Sequence, residues 1–73
     1  MAKHSIETRS SSLFTEISYN ESARILTVDM INYGKYEYRD FPMSMWLRFK
    51  NAASYGSFYN TYVKGVYQFK RLR

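Results

Sequence analysis

Cysteine is absent from the 73 residues, which removes disulfide staples and thiolate metal sites together and fits a reducing cytoplasm. There is one histidine, His4, in a polar N-terminal stretch where a solvated side chain is expected. Gly34, Gly56 and Gly65 stand isolated, so they form no phosphate cradle. No apolar run approaches the roughly 20 residues that span a bilayer. The opening Met1-Ala2-Lys3-His4-Ser5-Ile6-Glu7-Thr8-Arg9 has no apolar signal core. The carboxylates are few and scattered, with neither a calcium-loop spacing nor a paired arrangement for acid–base work. These absences argue against an enzyme, a metal site, a cofactor, a membrane partner and a small-molecule substrate, and leave a binding protein of the cytoplasm.

Carboxylates are also missing from one half of the chain. Residues 1–31 carry three basic and four acidic side chains, whereas residues 32–73 carry eight basic and two acidic, and none is acidic after Asp40. Arg48, Lys50, Lys64, Lys70, Arg71 and Arg73 follow it, so the second half should steer toward an anionic partner. Solubility alone also accounts for cations near a chain end.

Aromatics are what the chain has in quantity: eight Tyr, five Phe and one Trp. At this length a domain buries only about 60% of its extended surface, and aromatic side chains that each bury roughly 150–250 Å² make a core feasible without staples.

The periodicity predicts an α+β fold. Residues 1–10 read as a flexible lead-in and 11–73 as a single domain. Leu13–Tyr19 and Ala23–Ile31 alternate as two strands around the polar break Asn20-Glu21-Ser22. Leu26, Val28 and Met30 share the face expected inside. Asn32-Tyr33-Gly34 is a turn, and Lys35–Arg39 is a third strand, closing an antiparallel meander. Pro42 suits a first helical position, and Met45, Trp46, Phe49, Ala52 and Ala53 follow at helical spacing, with Gly56 as the stop. A second short helix is expected over Ser57–Lys64, with Phe58, Tyr62 and Tyr59 inward and Gly65 as its C′ residue. Val66–Leu72 alternates again and supplies an optional C-terminal edge strand.

Aromatic and basic residues interleave in Tyr33-Gly34-Lys35-Tyr36-Glu37-Tyr38-Arg39 and in Tyr67-Gln68-Phe69-Lys70-Arg71. Lys35, Tyr36, Tyr38 and Arg39 are thus candidates for nucleic acid, through base stacking and phosphate neutralisation. The alternative places Tyr36 and Tyr38 in the core layer and leaves Lys35, Glu37 and Arg39 on the solvated face. For a protein partner the candidate contacts are Lys64, Lys70, Arg71 and Arg73, then Arg48 and Lys50. Leu47 and Tyr55 join them if they are exposed beside Arg48.

From Ser11 onward the chain resembles the KTSC domain family, named for the C-terminus of some lysyl-tRNA synthetases. The resemblance is carried by Ser11-Ser12, Ile17-Ser18-Tyr19, Leu26-Thr27-Val28 and Gly34 before Tyr36-Glu37-Tyr38. It continues through Phe41-Pro42 and Ala53-Ser54-Tyr55-Gly56-Ser57-Phe58-Tyr59-Asn60. It implies a small domain without established enzymatic activity and with a suspected role in binding RNA, carried by Tyr36 and Tyr38. The first helix departs from the family by having no acidic residue over Met43–Lys50. As a whole the chain also resembles the small RNA-polymerase-binding transcription regulators of Xanthomonas bacteriophages. That resemblance implies host bacterial RNA polymerase as the partner, inhibition of sigma-dependent initiation, and antitermination, with RNA or DNA as further components of the complex. The alternative is an RNA-binding KTSC module that makes no polymerase contact.

Overall fold

The computed structural model of the chain describes residues 3–6 and 13–72. Most of the expected lead-in, the Ser11-Ser12 pair and the candidate contact Arg73 lie outside the described residues. The elements run β1 (Lys3–Ile6), β2 (Phe14–Asn20), β3 (Ile25–Met30), β4 (Gly34–Tyr38), α1 (Met43–Lys50), α2 (Tyr55–Phe58) and β5 (Phe69–Arg71). Helix α2 runs on as a wide π-helical turn over Tyr59–Val63.

The fold is α+β, as expected, with one antiparallel five-stranded sheet in the order β1-β2-β3-β4-β5. Four strands precede the helices where the periodicity predicts three. The addition is β1, inside the segment expected to be a flexible lead-in, and it pairs along β2 from Lys3↔Asn20 to Ile6↔Ile17. His4, read as solvated, bonds to Glu21 Oε1 at 3.0 Å. Its ring lies 6.5 Å from that of Tyr19 and 6.1 Å from that of Trp46.

Because side chains alternate between the faces of a sheet, the register sorts the residues into transverse rows. Two rows face the helices: His4–Tyr19–Leu26–Tyr38–Phe69 and Ile6–Ile17–Val28–Tyr36–Arg71. A third, Ser5–Ser18–Thr27–Glu37–Lys70, faces away, and Glu16, Asp29 and Lys35 lie in register beside it. The inner face therefore carries the apolar surface, at about 1.5–3 kcal/mol for each fully buried aliphatic side chain. The outer face mixes carboxylates, lysines and hydroxyls.

Helix α1 begins at Met43, and Pro42 is its extended cap residue rather than the expected first helical position. The Pro42 carbonyl accepts from the amides of Met45 and Trp46, and the helix buries Trp46 and Phe49. Trp46 stacks on Tyr19 at 5.3 Å, and Phe49 meets Phe14 edge-on at 6.4 Å, so α1 covers the β2 side of the sheet. The helix ends at Lys50, before the expected stop at Gly56. The Asn51 amide side chain bonds back to the Leu47 carbonyl at 2.8 Å and closes the last turn. Ala52 and Ala53 thus fall outside the helix.

Ser54 caps α2 by accepting from the Ser57 amide. The π turn then shifts the helical period by one position. Phe58, Tyr59 and Val63 are buried and Tyr62 is turned out, which corrects the expected inward Tyr62. Gly65 has φ +79°, the left-handed conformation expected of a C′ glycine.

Candidate functional site: an aromatic cleft at the β4–β5 end

The helical layer does not extend to β5. Along the first inner row Tyr19, Leu26 and Tyr38 are buried, whereas Phe69 is 55% exposed. On the adjoining turn Tyr33 is 61% exposed. Between this uncovered end of the sheet and the π turn lies a cleft of about 360 Å³. Tyr33, Tyr36 and Phe69 form its sheet side, and Tyr59, Asn60 and Lys64 form its helix side.

Each wall follows from local sequence. Gly34, at φ 103°, and Asn32, at φ 69°, make the left-handed turn that sets Tyr33 at the rim. The Tyr36 hydroxyl donates back to the Tyr33 carbonyl at 3.2 Å and holds the two together. Strand β5 pairs Tyr36 with Arg71 and Tyr38 with Phe69. The Phe69 ring accordingly lies 5.6 Å from Tyr36 and 5.7 Å from Tyr38. The Arg71 guanidinium lies 5.8 Å from the Tyr36 ring centroid, within range of a cation–π attraction. At the back of the cleft the buried hydroxyls of Tyr38 and Tyr59 hydrogen bond to each other. Burial pushes both phenols up, and for Tyr59 the bond from Tyr38 adds to the rise. Both are therefore neutral hydroxyls at physiological pH.

A shallow groove continues around the edge past Arg39, Val66 and Phe69, and Val66 is 62% exposed. This end thus combines exposed aromatic and aliphatic surface with the cations Arg39, Lys64 and Arg71. Of the nucleic-acid candidates, Tyr36 lines the cleft half-buried, and Tyr38 contributes its buried ring to the wall. Arg39 lies on the neighbouring groove, and Lys35 is on the opposite face in register with Asp29.

Of the protein-contact candidates, Lys64 lines the cleft and Arg71 lies over the ring of Tyr36 on its sheet side, while Lys70 faces the other way, in register with Glu37. Arg48 and Lys50 sit on α1, away from the cleft. Arg48 lies over the Tyr62 ring at 4.9 Å and the Phe58 ring at 5.9 Å. Leu47 is exposed, but Tyr55 is half-buried with its ring 6.0 Å from that of Phe49, so the two do not form an open pair.

Tyr33, Val66 and Phe69 were not singled out from the sequence as site residues. Tyr33 and Phe69 stand in the two interleaved stretches, but only the β4–β5 pairing brings those stretches together. Among the described residues there is no cluster of His, Asp or Glu suited to hold a metal ion. Among them, too, no helix is long and apolar enough to cross a membrane.

The fold and the site define a small α+β domain with one helix-covered sheet face and an open, cationic aromatic end. Residues 10–67 match the KTSC domain, and the chain belongs to the KTSC domain family. Among solved structures it is similar to the crystal structure of a KTSC domain protein from Yersinia pestis. The likeness has a TM-score of 0.87 and 26% identity over 99% of this chain and 100% of that one. Among curated proteins none matches the chain. The matches carry the family and the fold; they carry no partner.

Proposed function

We propose that the chain is a protein-binding module whose partner is bacterial RNA polymerase, held through the β4–β5 end. The carrying observation is the kind of apolar surface left open there. Val66 and Phe69 on the groove, with Phe69 and Tyr33 on the adjoining cleft and the cations Arg39, Lys64 and Arg71 at this end, have the aromatic, aliphatic and arginine character of protein interfaces. Base recognition at such sites is carried chiefly by rings and cations, whereas an exposed aliphatic side chain such as Val66 is stabilised by burial in the apolar centre of a protein interface. Polymerase itself, with inhibition of sigma-dependent initiation and antitermination, comes from the resemblance to phage regulators. A chain this small, without catalytic groups, acts by occupying a contact surface or by favouring the polymerase conformation it binds better.

The second reading is single-stranded RNA, favoured by the ring-lined cleft with Lys64 and Arg71 beside it. Capture of polymerase from a nuclease-treated bacterial lysate by the tagged chain, washed at rising salt, separates the two. Retention after nuclease, with a shallow salt dependence, supports direct polymerase binding. Loss of polymerase, with RNA recovered from the untreated lysate and released steeply by salt, supports the RNA module.

A further inference from the structure

We propose that the open edge of β5 takes up an extended acidic segment of a protein partner as a sixth strand, with an apolar side chain of that segment against Phe69 at the cleft. The proposal rests on the protein-binding reading and adds to it the geometry and the chemistry of the bound segment.

Among the described residues, strand β5 ends the sheet order and takes β4 as its neighbouring strand. The Arg39 amide donates to the Gln68 carbonyl at 2.9 Å, and the Leu72 amide donates to the Lys35 carbonyl at 2.7 Å. Even-numbered residues therefore direct their backbone groups to β4, and alternation turns the N–H and C=O of Phe69 outward. All three residues of β5 are exposed. The strand carries neither a proline nor a bulge, and no described helix lies over it; its shortness and its cations Lys70 and Arg71 are what guard it against indiscriminate pairing.

Charge selects the occupant. In every antiparallel register centred within β5, a second copy of the chain would set Lys70 opposite or diagonal to its own counterpart. Like charges so placed destabilise strand pairing. An acidic segment turns the same positions into attractions. Laid antiparallel, it meets Arg71, Lys70 and Phe69 in that order, which favours two acidic residues followed by an aromatic or aliphatic one. The third side chain falls on the inner face beside Phe69, where the helical layer is missing.

The test titrates the full-length, 15N-labelled chain with the capped peptide Thr-Glu-Glu-Phe-Thr-Val. Comparison probes are Thr-Lys-Lys-Phe-Thr-Val and an oligouridylate. Shifts centred on the Phe69, Lys70 and Tyr36 amides are expected, with slowed hydrogen exchange at Phe69 and about tenfold weaker binding of the lysine peptide. Phe69→Pro removes the outward N–H while the flanking ladder bonds to β4 remain, and it should abolish binding. Phe69→Ala should weaken it about tenfold, and so should Lys70→Glu, which leaves the backbone unaltered. Equal affinity for the lysine peptide, shifts confined to the helices, oligouridylate in place of the acidic peptide at β5, or no binding at millimolar peptide overturns the proposal. Polymerase capture keeps the two readings apart. Capture by both wild type and Phe69→Pro leaves the polymerase reading standing and overturns the edge. Capture by neither removes polymerase as partner, while the peptide titration still decides the edge.

Discussion

Tyr38 on β4 and Tyr59 in the π turn share a buried hydroxyl–hydroxyl bond, with their rings edge to face at 5.8 Å. This contact ties the helical layer to the sheet directly behind the cleft. Each single change, Tyr38→Phe or Tyr59→Phe, strands the other hydroxyl in the interior and should destabilise the fold by about 1–3 kcal/mol. The double change removes both polar groups and should cost less than the sum. A coupling of about 0.5–1.5 kcal/mol in urea denaturation is expected, and strict additivity would rule out the bond.

The same pair predicts an alkaline limit. Both phenols lie above their ordinary value of 10.0, through burial first. In the window above 10.0 the unfolded chain has released protons that the folded chain still holds, so stability is full below that pH and falls as pH rises through it. Melting temperature should thus decline above pH 10, and less steeply in the Tyr38→Phe/Tyr59→Phe protein. An unchanged slope would mean that other groups set the limit.

Strand β1 should contribute to the core. Ile6 is buried opposite Ile17, and Ile6→Ala is expected to cost about 2–4 kcal/mol by thermal or urea unfolding. The His4 ring lies near that of Trp46, so His4→Ala should alter Trp46 emission while leaving the rest of the fold intact. Silence in both measurements would show that residues 3–6 do not dock.

That strand also marks where the sequence was hard to read. β2, β3 and β4 were legible because Leu26, Val28 and Met30 alternate with polar neighbours and glycine and asparagine mark the turns. Lys3-His4-Ser5-Ile6 has one aliphatic residue, and its inward histidine earns its place only through proximity to Tyr19 and Trp46, which no spacing reveals. The π turn misled in another way. A helical period of 3.6 turns Tyr62 inward below Phe58. Tyr59 is buried as expected, but with the wider turn Val63 takes the next buried position and Tyr62, its ring 4.7 Å from that of Phe58, is left exposed. As for the site, its aromatic and basic ingredients were visible in two stretches, but their meeting depends on a pairing across the whole helical segment.

Gly65 separates backbone strain from packing. It has φ +79° and nothing within 4 Å of the position a Cβ would take. Gly65→Ala should therefore lower stability by about 1–2 kcal/mol through the left-handed penalty alone, with little change in the sheet amides. A larger loss accompanied by shifts in β5 would show that the turn sets the position of the edge strand.

The β4–β5 pairing has a consequence for how the molecule assembles. Every other strand pair joins sequence neighbours through a short turn or connection, whereas β5 reaches β4 only after the chain has passed through both helices. Closing that long loop costs entropy that the helical layer must already be in place to offset. The β4–β5 end is therefore expected to assemble last and to fray first, as a low-stability unit on a firmer base. A partner that clamps β5 becomes a folding ligand, and the apparent melting temperature of the free chain should climb with partner concentration.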